Sequence, residues 1–176
     1  MQEGQFARRK QMRKVDIHRE LERMLGEEAE FRGLQEPAIR AIMRHESPIL
    51  AVMGTGVGKS MLFMLPARSM STGTTIVVTP LVSLQNHLVE RCQDANISCM
   101  KWDPRESYQT TQIVIVTPES AASKTFDGLL DRLIGLYQLD RIVIDECHTV
   151  WTAAMISGPR CERCGSWYKR RYRWCF

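Results

Sequence analysis

The chain has 176 residues, 44% hydrophobic and 25% charged, with a formal net charge of +4. That length suits one domain with a real core and is too short for two of ordinary size. No apolar run reaches the roughly 18 residues of a membrane span, and MQEGQFARRKQMRK enters VDIHRELERML without the apolar stretch of a secretory signal, so an intracellular protein is expected.

In chain order, residues 1–14 read as a basic flexible arm, and 15–25 space Val15, Ile17 or His18, Leu21, Met24 and Leu25 at helical intervals. A second helix is expected over 35–45, where Ile39, Ile42 and Met43 share a face and Pro37 falls in the first turn. From residue 48 the pattern turns to short apolar runs: PILAVM, TTIVVT, ISCMKW, QIVIVT and RIVIDE. Alternating with helical segments near 59–68, 81–94 and 126–137, these runs predict an α/β fold with a largely parallel sheet covered on both faces. The domain is expected to extend over 15–158.

The remainder, 159–176, is a basic Cys/Trp tail with six basic residues and one acidic, against 18 basic and 19 acidic in 1–158. Cys161 and Cys164 have metal-ligand spacing, and Cys175 and His148 are further candidate zinc ligands, but only one close-spaced couple is present, so composition favours a sticky basic, aromatic tail over a zinc site. Reading RCERCGSWYKRRYRWCF one frame over under the genetic code yields an amphipathic helix followed by an apolar strand, so residues from about 160 are expected to be out of frame. The other cysteines, Cys92, Cys99 and Cys147, lie in or beside α/β-looking segments and are expected as free thiols.

Two stretches carry chemistry. MGTGVGKS (53–60) follows an expected strand and opens an apolar helix. Gly54, Gly56 and Gly58 permit backbone conformations in which N–H groups, with those of Thr55 and Val57, converge on a phosphate. Lys59 would reach the β- and γ-phosphates, and the Ser60 hydroxyl would ligand Mg²⁺. Met53 stands where the P-loop pattern asks for a small residue. IVIDECH (142–148) puts Asp145 and Glu146 at the C-terminal end of an apolar strand, where ligands of open α/β sheets bind. Asp145 suits Mg²⁺ through water, and Glu146 suits activation of the attacking water.

These stretches, with FRGLQEPAI (31–39), VVTPLVSLQNHLV (77–89) and IVTPES (115–120), resemble in order and spacing the first motor domain of superfamily 2 helicases, the RecQ family above all, including degenerate fungal members. The resemblance covers roughly residues 15–150 and implies a RecA-like P-loop NTPase domain of a DEAD/DEAH-box DNA helicase, running 3′ to 5′. It implies ATP and Mg²⁺ as cofactors, and single-stranded or forked DNA as partner. A nuclear location follows if the source is eukaryotic. It casts Gln35 as a reader of the adenine edge, with Phe31 or Arg32 near the base, and His148 as the link between hydrolysis and nucleic acid. Thr79, Pro80, Ser83, Thr117, Pro118 and Glu119 become candidate contacts to a DNA backbone, although ordinary helix caps would explain each singly. Cys147 stands where an alanine is usual, and the aromatic-rich loop expected after the histidine offers only Trp151. A second RecA-like domain, with its arginine finger, would have to come from another chain; without it turnover is expected to fall by roughly 10³–10⁵. The alternative is an inert ATP- or DNA-binding fragment.

Overall fold

A computed structural model describes residues 2–54, 56–70 and 72–146. Among the described residues four strands form one parallel sheet in the order β2-β3-β1-β4: β1 (Thr74–Val78), β2 (Cys99–Lys101), β3 (Ile113–Val116) and β4 (Leu139–Ile144). In register, Ile76 of β1 lies beside Val114 of β3 and Ile142 of β4. Every residue of β1 and β3 is buried, as near-continuous apolar strands between two helical layers should be.

Side chains of a strand alternate between faces, and the core divides accordingly. Val77, Ile113 and Ile115 face Phe63 and Met64 of α4 (Met61–Arg68) and Leu88 and Cys92 of α5 (Val82–Asp94). Ile76, Val78, Val114 and Val116 face Phe126, Leu129, Leu130 and Leu133 of α7 (Lys124–Gly135), which follows the short α6 (Pro118–Ala121). The expected α/β architecture, helices on both faces of a parallel sheet, is therefore the observed one. A third cluster joins α2 (Ile17–Leu25), α3 (Gln35–Met43) and α4 through Ile17, Leu21, Ile39, Met43, Met61 and Leu65. Asp16 caps α2 by accepting from the His18 and Arg19 N–H groups.

Two expectations fail. The arm expected over 1–14 is largely a helix, α1 (Gln2–Met12), whose Met12 is buried in the third cluster. Arg8 pairs with Asp140 and donates to the Tyr137 carbonyl, while Arg13 donates to the Arg44 carbonyl. One buried methionine and partners 31 to 132 residues away hold α1, and no such partner is legible in a basic segment. The strand expected at PILAVM does not form: no pairing includes residues 48–53, and Leu50 and Val52 are 70% and 77% exposed. Among the described residues β4 ends the sheet and is only half-buried, and 48–53 does not add to it. Among the described residues no helix is long and apolar enough to cross a membrane.

Candidate functional site

Parallel pairing sets the C-terminal ends of β1, β3 and β4 at one edge of the sheet, so residues 79–84, 117–120 and 145–146 share that edge. The Thr79 N–H donates to the Val116 carbonyl and the Asp145 N–H to the Val78 carbonyl, tying the three strand ends together. Beside them lies a cleft of about 1250 Å³ lined by Gln35, Gly56, Lys59, Ser60, Asp145 and Glu146.

Glycine is required in the loop that opens α4. Gly56 and Gly58 have φ of 78° and 73°, values that L-residues with a Cβ rarely adopt. Lys59, at the loop's end, donates from Nζ to Glu146 Oε1 at 3.0 Å across 87 residues of sequence. Both side chains are about 30% exposed, so the pair contributes at most about 1 kcal/mol. Glu146 has φ 51°, in the left-handed region, and such conformations in non-glycine residues concentrate at functional sites. The Asp145 carboxyl is held above the ordinary carboxylate value by burial first and by the neighbouring Glu146 charge second, against a backbone hydrogen bond and Lys59.

Ser60 is 7% exposed, and its hydroxyl is buried with no hydrogen-bond partner. An orphaned buried hydroxyl costs free energy, and Ser60 and Asp145 line the same cleft. Oxygen donors of this kind fit Mg²⁺. Gln35 is buried against the loop: its Nε2 donates to the Val57 and Gly58 carbonyls at 2.7 and 3.2 Å, and its Oε1 accepts from the Arg32 N–H at 2.8 Å.

The nucleic-acid candidates divide. Ser83 and Glu119 are exposed and Pro80 and Pro118 half-buried. Thr79 is fully buried, its hydroxyl turned into the fold without a partner, so in this arrangement it offers nothing to a DNA strand. The Thr117 hydroxyl caps α6, accepting from the Ser120 N–H and donating to the Ser120 hydroxyl. Leu81 and Val82, at the start of α5, are exposed instead. Thr55, His148 and the tail with Cys161, Cys164 and Cys175 lie outside the described residues. His87 and Arg91 also line the cleft, which the sequence reading did not anticipate; their spacing of four on α5 places them on one face.

The model of the DEAD/DEAH box helicase family matches residues 32–164. The chain is 31% identical over 144 residues to the ATP-dependent DNA helicase Q5 of Rattus norvegicus, covering 74% of this chain and 15% of that protein. It is 30% identical over 132 residues to the ATP-dependent DNA helicase RecQ of Bacillus subtilis, covering 68% and 22%. It thus spans less than a quarter of either relative's length. The crystal structure of the DUF1998 helicase MrfA shares the fold, with a TM-score of 0.58 and 21% identity over 78% of this chain and 24% of that one. The glycine-rich loop and the acidic end of β4 lie within the matched residues, and the chain belongs to the DEAD/DEAH box helicase family.

Proposed function

We propose that the chain is the nucleotide-binding motor domain of an ATP-dependent DNA helicase of the RecQ type. The observation that carries this reading is the meeting in one cleft of Lys59, Glu146, Asp145 and the orphaned Ser60 hydroxyl. Ser60 and Asp145 would hold Mg²⁺, which when bound neutralises charge on the β- and γ-phosphates.

Lys59 has two roles that exclude each other. Its Nζ pairs with Glu146, and a triphosphate would draw it to the phosphates by charge. That exchange releases the Glu146 carboxylate, which then accepts a proton from, and orients, the attacking water. The exposed start of α5 and Glu119 lie at the same sheet edge, so a strand bound there would touch elements that also carry the nucleotide cleft. The names of the relatives, ATP-dependent DNA helicases, agree with this assignment.

The test is hydrolysis of ATP by the chain with and without single-stranded DNA. Stimulation by DNA that disappears in Glu146→Gln supports the proposal. Activity unchanged in Glu146→Gln would remove Glu146 from the chemistry, and nucleotide binding without hydrolysis at any DNA concentration would favour the inert binding fragment.

A further inference from the structure

We infer that Cys92 and Cys99 form a modification site: a small disulfide of the glutathione type oxidises them reversibly to a bond between α5 and β2, and that bond loosens the nucleotide cleft. The second clause rests on the nucleotide-site reading above; the first does not.

Cys92 lies in the last turn of α5 and Cys99 opens β2. Between them the chain reverses in one tight turn. Asn96 takes the left-handed conformation at φ 54°, and the Ile97 N–H donates to the Cys92 carbonyl at 2.8 Å. Asparagine tolerates that conformation better than most residues with a Cβ. The turn folds β2 back beside α5, and both cysteines join the cluster that holds Ile97 and Ile113. There the two thiols, both free, share a hydrogen bond.

Their surroundings differ. Cys92 is fully buried and Cys99 half-buried, so a disulfide from outside reaches Cys99. The hydrogen bond from Cys99 and, behind it, the Arg91 charge hold the Cys92 thiol below its ordinary value against the effect of burial. Donating that hydrogen bond, and then burial, push Cys99 up. Cys92 is thus the better thiolate and Cys99 the accessible sulfur, the division of labour that thiol–disulfide exchange uses.

The exchange has two steps. When the pair has lost one proton, passing the other across the hydrogen bond to Cys92 leaves Cys99 as the thiolate. It attacks one sulfur of glutathione disulfide: a Cys99–glutathione bond forms, the glutathione S–S bond breaks, and one glutathione leaves as a thiolate. Cys92 then loses its proton beside Arg91 and attacks the Cys99 sulfur, which forms the Cys92–Cys99 bond and expels the second glutathione. The two electrons and two protons given up by the protein thiols end on two reduced glutathiones. An excess of reduced glutathione runs both steps backward.

Helix α5 is also a wall of the cleft, through Leu84, His87, Leu88 and Arg91. A disulfide bond is about 2.05 Å long, shorter than any hydrogen-bonded contact between two thiols. A close-packed interior passes such a displacement on to its neighbours. Among the described residues β2 and β4 are the two ends of the sheet. Drawing the end of α5 toward β2 therefore draws Arg91 away from Asp145 and Glu146, which follow β4 and line the same cleft.

The experiment places the whole chain, as wild type, Cys92→Ser and Cys99→Ser, in a glutathione buffer with about a tenfold excess of the oxidised form. The chain is then unfolded, its remaining thiols are blocked with iodoacetamide, and it is digested with trypsin. Cleavage after Arg91 and Lys101 releases CQDANISCMK (92–101), which carries these two cysteines and no other. In the wild type most of this peptide should be unalkylated and lighter by two hydrogen atoms, and dithiothreitol should return it to the doubly alkylated form. Cys92→Ser should stop at a glutathione adduct on Cys99, whereas Cys99→Ser should keep its buried Cys92 reduced. Circular dichroism checks that both variants fold, and the wild-type readout needs neither. A doubly alkylated peptide in the wild type, or a lasting glutathione adduct there in place of the closed bond, would overturn the inference. So would Cys99→Ser collecting an adduct as readily as Cys92→Ser does.

Titration with Mg²⁺ and ATP then compares the oxidised and reduced wild type. The oxidised form should bind about fivefold or more weakly, and Cys99→Ser should bind equally in both buffers, which sets aside the cysteines elsewhere in the chain. Equal affinities with the bond closed would overturn its coupling to the cleft. Absence of ATP binding in both forms would remove the nucleotide-site reading and the coupling with it, while the peptide still reports whether the bond closes.

Discussion

Lys59 and Glu146 pair across the cleft, which sets an expectation for each. Removing the glutamate's charge in Glu146→Gln frees the lysine, so ATP should bind as well as or up to a few-fold better than to the wild type, given how little a partly exposed pair is worth. Weaker binding in a competition assay would mean that the carboxylate helps hold the nucleotide. A different residue tests packing rather than chemistry. Gly73 enters β1 at φ 107°, and a Cβ built there collides with the Asp140 carboxylate. Gly73→Ala should therefore cost about 1–3 kcal/mol in a urea melt, and an unchanged midpoint would show that Asp140 can swing aside. The loop and the two acidic residues were legible in the sequence because their chemistry is local: three glycines, a lysine and a serine within eight residues, and a carboxylate pair at a strand end. The seat of Gln35 was not. Its partners lie 22 and 23 residues on, and only folding brings the amide to them.

At the scale of elements, α1 shows why the basic N-terminus was misread. Its segment has little apolar periodicity, and what holds it is tertiary: Met12 in the core and Arg8 at Asp140. The same neighbourhood holds a titratable group. His45, in the turn after α3, is pushed down to about 4 by burial first and then by the charges of Arg141 on β4 and of Arg9 and Arg13. Its folded value lies below the ordinary 6.5, so the unfolded chain binds more protons between the two. Stability from the neutral imidazole is thus present above pH 6.5 and lost as pH falls toward 4. Asp140, raised by burial, pulls the other way, since protonation relieves its cost. Comparing wild type with His45→Gln isolates the histidine: the variant should lose less stability between pH 7 and pH 4.5 in parallel denaturant melts. Equal losses would mean that the imidazole takes up its proton in the folded state without cost. The helices α3, α4 and α5 fell close to their expected spans because their apolar spacing agrees with the packing that followed, although none of the three has a side-chain cap.

Across the whole molecule, stability is unevenly placed. β1 and β3 are buried throughout, whereas β4 is half-buried at the sheet's end among the described residues. Residues 48–53 carried the apolar signature of a strand, yet no pairing includes them, and Leu50 and Val52 stay exposed. Amide exchange should follow this gradient: protection greatest in β1 and β3 and at least about tenfold lower in β4 and 48–53. Uniform protection across the sheet would contradict the described pairing. All of the functional reading depends on the cleft between the phosphate loop and the end of β4. The most direct test is isothermal titration of the whole chain, wild type and Lys59→Ala, with Mg²⁺ and ATP. The account predicts one site in the wild type and an affinity at least tenfold weaker in Lys59→Ala; equal affinities, or no site in the wild type, would contradict it.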